Sequence, residues 1–254
     1  MSHRLESKVI IVTGGTSGMG SAFAMRAASE GAAVIIGARD KAMGDATVEA
    51  IVRDGGTALF VPTDVTVEEE VAHLVDVAVQ EFGGLHGAFN NAGGGNSHGA
   101  VRDIEASFWD GIVALNLTSV FYSLKYEIPA IVASGGGSVV NNVSVVGVVG
   151  DPTAAAYSAA KHGVVGLTRS AALDVAKENV RVNALVTGLV NTPLWRGLIQ
   201  SNPEAASTIL NQQPAGRAAC ETEIAAFVAF LLSDESPFIN GAALAIDGAL
   251  TAGY

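Results

Sequence analysis

Val9-Ile10-Ile11-Val12-Thr13-Gly14-Gly15-Thr16-Ser17-Gly18-Met19-Gly20 is the stretch on which the reading of this chain turns. Four β-branched apolar residues in a row make a short strand buried on both faces, and the glycines after it stop it in a tight turn. A helix opens at Gly18, so free backbone N–H groups and the positive end of a helix dipole lie just beyond the strand's carboxyl end. That arrangement suits a pyrophosphate, with Gly14, Thr16, Ser17, Gly18, Met19 and Gly20 around it. The Gly-Lys-Ser/Thr ending of a nucleoside-triphosphate loop is missing.

Outward from this turn, short apolar runs alternate with longer helical patterns. Strands are expected at 9–12, 34–36, 58–61, 87–89, 138–143, 180–184 and 242–246. Helices are expected at 18–30, 41–54, 66–82, from about Ile104, at 115–132 and at 154–177, with Thr66 and Glu69 as a capping box for the third. Near-continuous apolar strands separated by helices mean an α/β doubly wound fold: a seven-stranded parallel sheet with helices on both faces. No linker or repeat interrupts the pattern, so residues 1–254 read as one domain. Such sheets bind ligands beyond the carboxyl ends of their strands, where the strand order reverses. Functional residues therefore belong just after strands one, two, four, five and six.

Composition narrows the function. The chain carries 14 Lys plus Arg against 25 Asp plus Glu, a net charge of −11. That sign repels nucleic acid and anionic membranes. Only 15% of residues are charged, 49% are apolar and the mean hydropathy is +0.39, which excludes a disordered chain and calls for a large buried surface. Residues 128–150 lack ionisable side chains, but Pro129, the glycines at 135–137, Asn141 and Asn142 do not suit a lipid-exposed helix. Arg4, Glu6 and Lys8 precede any apolar run, unlike a secretory signal, and Cys220 has no partner for an internal disulfide. A soluble cytoplasmic protein is the expectation. The 5 histidines are scattered away from other ligand types, so no metal is expected.

Further chemistry lies downstream. Asn90-Asn91-Ala92-Gly93 follows the fourth strand, Ser144 ends the fifth, and Tyr157 and Lys161 stand four apart on one helix face. A free phenol titrates near ~10, and an adjacent ammonium favours phenolate and lowers that value toward the range useful for acid–base catalysis. Ser144 reads either as a strand-end hydroxyl capping backbone or as a donor to a substrate oxygen. Asn142 stands where a nucleophile elbow needs its first glycine, which weighs against a serine hydrolase.

With T-G-x-x-x-G-x-G at 13–20, N-N-A-G at 90–93, Asn116, Ser144 and Y-x-x-x-K at 157–161, the chain resembles the short-chain dehydrogenase/reductase family from about Lys8 to Gly248. The resemblance implies a nicotinamide dinucleotide that carries hydride, while the protein supplies geometry and electrostatics. It makes Tyr157 the acid/base at the carbonyl oxygen and has Lys161 lower the Tyr157 pKa and hold the nicotinamide ribose. It has Asn116 bind a water that relays protons from Lys161. It sends Asp64 to the adenine amino group with Val65 behind the ring. Asn91 goes to the adenosine ribose with Ala92 and Gly93 beside it, and Gly188, Val190 and Thr192 go to the carboxamide.

At the end of the second strand, Ala38 occupies the place where NAD-specific relatives put an acid, and Arg39 follows. A guanidinium holds a 2′-phosphate bidentately, which reads as NADP(H). Asp40, near the usual distance for a ribose-binding acid, and the neutral Ser17 leave NAD(H) as the alternative. Thr187-Gly188 stands where the family has Pro-Gly, which frees φ, adds a donor and predicts a looser cofactor loop.

Residues 193–214 are expected to form a substrate lid. Leu194 and Trp195, with Leu198, Ile199 and Ile209, and Val145 and Val146 beside Ser144, read either as helix packing or as a pocket for a small hydrophobic alcohol or ketone. The family further implies a homotetramer through the helices at 115–132 and 154–177 and the carboxy terminus near Asp247. Two alternatives stand beside the alcohol dehydrogenase reading. A 3-oxoacyl-carrier-protein reductase is disfavoured by the acidic balance, and a non-catalytic dinucleotide-binding regulator is disfavoured because Tyr157 and Lys161 are both present.

Overall fold

β1 (Val9–Thr13) is buried along its whole length, as a run of β-branched apolar residues requires. Its alternate side chains feed two cores: Ile11 joins one cluster and Ile10 and Val12 the other. The computed structural model describes residues 3–95 and 99–253. Met1 and Ser2 of the amino-terminal reading, and His98 among the histidines, lie outside them.

In chain order, β1 is followed by α1 (Gly18–Ser29), β2 (Ala33–Ala38), α2 (Lys41–Arg53), β3 (Thr57–Pro62), α3 (Glu68–Phe82) and β4 (Gly87–Asn90). Next come α4 (Ala106–Val113), α5 (Ser119–Ala133), β5 (Gly137–Ser144), α6 (Ala155–Asp174) and β6 (Val180–Thr187). α7 (Pro193–Ser201), α8 (Pro203–Asn211), α9 (Glu221–Leu232) and β7 (Ala243–Ile246) complete the order. All strands are parallel in the order β3-β2-β1-β4-β5-β6-β7, so the winding reverses between β1 and β4.

Two helical layers cover the sheet. On one face α1 and α9 pack on Ile10, Val12, Val34, Ile36, Phe89 and Val140. On the other, α3, α5 and α6 pack on Ile11, Ile35, Ala88 and Val139. Each fully buried Ile or Phe contributes roughly 1.5–3 kcal/mol of transfer free energy. No helix among the described residues is long and apolar enough to cross a membrane.

Several boundaries depart from the expectation. Thr66 does not cap α3, because Asp64 Oδ1 accepts from both the Thr66 N–H (2.9 Å) and its hydroxyl (2.7 Å). α3 starts two residues later behind Val67, and Glu68, Glu69 and Glu70 in its first turn complement the helix dipole. The helices expected from about Ile104 and at 115–132 are α4 and α5, joined by a π turn at Ala114–Thr118. α6 stops at Asp174 rather than 177. α9 was not foreseen: it is apolar nearly all round and so lacks the one-sided stripe that marks a surface helix.

Candidate active site

A cleft of about 1100 Å³ opens over the carboxyl ends of the strands around the β1/β4 switch. Gly14, Thr16, Ser17, Gly18 and Met19 line one end. Gly14 has φ +65°, a left-handed conformation that favours glycine. Gly20 does not line the cleft: a Cβ there would stand 2.2 Å from the Gly14 carbonyl oxygen, so its role is to let α1 close on the turn. Ser17 precedes α1 without a side-chain cap, and the first turn holds no acid, which leaves N–H groups available to an anion. These residues fit a dinucleotide pyrophosphate.

Ala38, Arg39, Asp40, Asp64 and Val65 line the same end. Asp40 caps α2, its Oδ1 accepting from the Met43 N–H at 3.0 Å. Arg39 is largely exposed, with Nη1 4.0 Å from Asp64 Oδ2. Hydrogen bonds from the Thr66 N–H and hydroxyl, aided by Arg39, hold the Asp64 carboxyl below its ordinary range. Gly188, Val190 and Thr192 also line the cleft, Thr192 packed close to Gly18 and capping α7. Thr187, standing where the family has proline, is bonded at the end of β6. Its hydroxyl donates to the Val143 carbonyl at 2.8 Å, and the Gly188 N–H donates to Ile246 at 3.2 Å, so β6 is pinned on both sides.

Ser144 from the end of β5 and Tyr157 and Lys161 from α6 converge in the middle of the cleft. Lys161 Nζ donates to the Asn142 carbonyl at 2.8 Å and stands 5.7 Å from the Tyr157 ring centroid. Burial pushes the Lys161 ammonium down to about 8. The lowered phenol pKa expected of this pair is not found. Burial pushes Tyr157 up to about 12, outweighing the opposite pull of its hydrogen bond with Ser144. Tyr157 is therefore a protonated donor at neutral pH. Gly95 packs directly on it, since a Cβ there would come within 2.6 Å of the ring.

Asn116 lies behind the cleft rather than in it. Buried in the π turn, it accepts from the Gly94 N–H (3.0 Å) and donates to the carbonyls of Gly94 (2.8 Å) and Ile112 (3.0 Å). Its side chain is spent on holding the loop after β4, where Asn91, Ala92 and Gly93 line the cleft.

The remaining wall is apolar: Leu115, Leu189, Leu194, Trp195, Leu198, Ala205 and Ile209, the last five from α7 and α8. Val145 and Val146 are not part of it. They form a 3₁₀ turn whose Val146 N–H bonds back to the Ser144 hydroxyl at 3.4 Å, and Val145 packs into the core. Val143 and Asn142 line the cleft instead. Sequence reading missed Leu115, Leu189, Ala205, Thr63 and the lining role of Asn142. Strand alternation offered a signal only for Asn142, whose side chain falls opposite that of Asn141.

Known proteins resemble the chain over nearly its whole length. Residues 14–251 match the family model described as enoyl-(acyl carrier protein) reductase, a group of short-chain dehydrogenases. Cyclohexanol dehydrogenase of Acinetobacter sp. is 38% identical over 251 residues, 99% of this chain and 98% of that protein. Cis-4-hydroxycyclohexanecarboxylate dehydrogenase of Sinomonas cyclohexanicum is 41% identical over 253 residues, 99% of this chain and all of that one. The crystal structure of levodione reductase superposes with a TM-score of 0.92 at 34% identity, covering 98% of this chain and 99% of that one. The chain belongs to the short-chain dehydrogenase/reductase family.

Proposed function

We propose that this enzyme interconverts a secondary alcohol and a ketone on a small, uncharged, largely hydrophobic substrate, preferring NADP(H) to NAD(H), as a cytoplasmic homotetramer. The observation that carries the reading is the meeting of Ser144, Tyr157 and Lys161 between an anion-binding turn and an apolar wall. When bound, the dinucleotide supplies or takes the hydride. In the reductive direction Ser144 donates a hydrogen bond to the carbonyl oxygen, and Tyr157 gives that oxygen its proton. Lys161 holds positive charge beside the phenol and reduces the cost of the phenolate left behind. In the oxidative direction the same groups act in reverse.

The cofactor preference rests on Arg39 at the rim, where a guanidinium suits a 2′-phosphate, and on Ala38 standing in the place of the acid that would receive a ribose hydroxyl. The substrate class rests on the wall. Arg196, on the lid, is turned away, with its guanidinium on the Asn191 carbonyl at 2.6 Å and beside Glu221. A carboxylate on the substrate thus lacks an evident anchor, so a neutral ring alcohol of the cyclohexanol kind fits better than a hydroxycyclohexanecarboxylate. α7 and α8, over residues 193–211, serve as the lid.

Nicotinamide absorbance tests the reading, with NADPH and NADH each offered cyclohexanone, 4-oxocyclohexanecarboxylate, and aliphatic and aryl ketones. Turnover of cyclohexanone with NADPH, at a kcat/KM about tenfold or more above that of the carboxylate, is expected for ~1.4 kcal/mol of lost charge solvation. Preference for the carboxylate, or no turnover of any ketone, contradicts it.

A further inference from the structure

Polar side chains form a row across the carboxyl edge of the sheet, perpendicular to the strands. On β1, the Thr13 hydroxyl accepts the N–H groups of Asn91 (3.0 Å) and Ala92 (3.1 Å). The Asn91 amide is fully engaged: its NH₂ donates to the carbonyls of Thr13 (3.2 Å) and Gly14 (3.3 Å), and its Oδ1 accepts from Asn142 Nδ2 at 3.2 Å. On β5, the Asn142 main-chain carbonyl accepts the ammonium of Lys161 at 2.8 Å. Thr187 of β6 closes the row, its hydroxyl bonded to Val143 and 3.5 Å from Asn142 Oδ1.

Asn142 therefore grips the loop after β4 with its side chain and holds the catalytic ammonium with its backbone. Asparagine is a poor strand former, yet β5 carries two in a row: Asn141 bonds Asn90 and Thr168, and Asn142 bonds Asn91. An apolar side chain here would leave Asn91 Oδ1 without a donor. The Asn91 NH₂ group could then swing off the Gly14 carbonyl, and Gly14 is the left-handed residue that opens the turn before α1.

We propose that Asn142 is a positioning residue for dinucleotide binding: through the Asn91 amide, its side chain fixes the turn after β1 relative to Lys161. The role rests on the dinucleotide reading above, and it involves no contact with the reacting atoms. Because Lys161 is held by a carbonyl, which survives any substitution, the chemical step keeps its lysine when the side chain is changed.

The test is calorimetric titration of NADPH into the wild type, Asn142→Val, Asn91→Ala and the double variant, with Tm measured on each free protein. Asn142→Val is expected to weaken NADPH about tenfold, the loss of one partly buried hydrogen bond. The loss should fall on NADPH affinity and not on the position of the pH transition in kcat, which belongs to Lys161. In the Asn91→Ala background the same change should cost under about twofold, because its partner is already gone. Multiplicative losses, or a drop in kcat and Tm with unchanged NADPH affinity, overturn the inference. Should Asn142→Val not fold, Asn142→Thr, a better strand residue too short to reach Asn91, carries the same expectations. A wild type that binds neither dinucleotide defeats the functional reading. A wild type that binds NADPH while Asn142→Val binds it equally well defeats this inference alone.

Discussion

Arg39 shows how much one residue decides. Its guanidinium is exposed at the rim, 4.0 Å from the Asp64 carboxylate. A charge-assisted contact to a 2′-phosphate contributes roughly 1.5–3 kcal/mol. Arg39→Leu should therefore weaken NADPH about tenfold to a hundredfold in equilibrium titration and leave NADH within about threefold; equal losses would show that Arg39 does not read the phosphate. Lys161 adds a pH dependence. Burial brings its ammonium to about 8, so the charge is present below that pH and lost above it. Reductive kcat should fall as pH rises through about 8, while Tyr157, at about 12, stays protonated throughout. Residues of this kind were legible in the sequence because the chemistry demands particular types at particular spacings, as in Tyr157 with Lys161. Of the two readings open for Val145 and Val146, packing holds, because a 3₁₀ turn rotates Val145 into the core, a direction that adjacency to Ser144 does not reveal. The phenol was misread because burial, invisible in sequence, outweighs the hydrogen bond with Ser144 that pulls the other way.

Elements hold those residues in place. Gly95 lets the loop after β4 press on α6, and Gly95→Ala would drive a Cβ to 2.6 Å from the Tyr157 ring. A displaced phenol should lower kcat by about tenfold to a hundredfold with dinucleotide affinity nearly intact, measured by steady-state kinetics beside a binding titration. On α5, buried Glu127 accepts from Asn90 Nδ2 at 2.9 Å, and Asn90 also donates to Asn141 of β5. Burial pushes the Glu127 carboxyl up to about 7. Its pKa is raised on folding, so the protonated form is the one the fold prefers. Stability is intact below about 4.5 and is lost as pH rises from there to about 7, by roughly 3 kcal/mol at 1.36 kcal/mol per unit. Glu127→Gln should remove that slope in urea unfolding at pH 5 and 8; a slope unchanged from the wild type would place the ionisation elsewhere. All seven strands were legible as short apolar runs set between helical stretches. The capping box was not, because a nearer competitor, Asp64, takes the Thr66 hydroxyl.

At the scale of the whole molecule, the strand order converts separate motifs into one site. Adjacent motifs meet only because β4 lies beside β1 and β5 beside β4, an order that follows from the winding reversal and not from any single segment. The apolar excess of the composition has a visible counterpart in Trp109 on α4, Phe121 on α5 and Leu173 on α6, all exposed on the single chain. Burying such a surface between copies supports the proposed tetramer. Sedimentation should give four times the 25.7 kDa chain mass, and Phe121→Glu should shift it to smaller species; a monomeric wild type would refute the assembly. The sequence hinted at this surface through its low charge, but which apolar residues stay outside depends on packing that only the folded chain displays.

The account stands or falls on the Tyr157 hydroxyl as the group that exchanges a proton with the substrate oxygen. The most direct measurement pairs the turnover of Tyr157→Phe with its NADPH dissociation constant. Affinity within about threefold of the wild type, with kcat reduced by roughly a thousandfold or more, is the predicted result. Turnover within about tenfold of the wild type at intact affinity would contradict it.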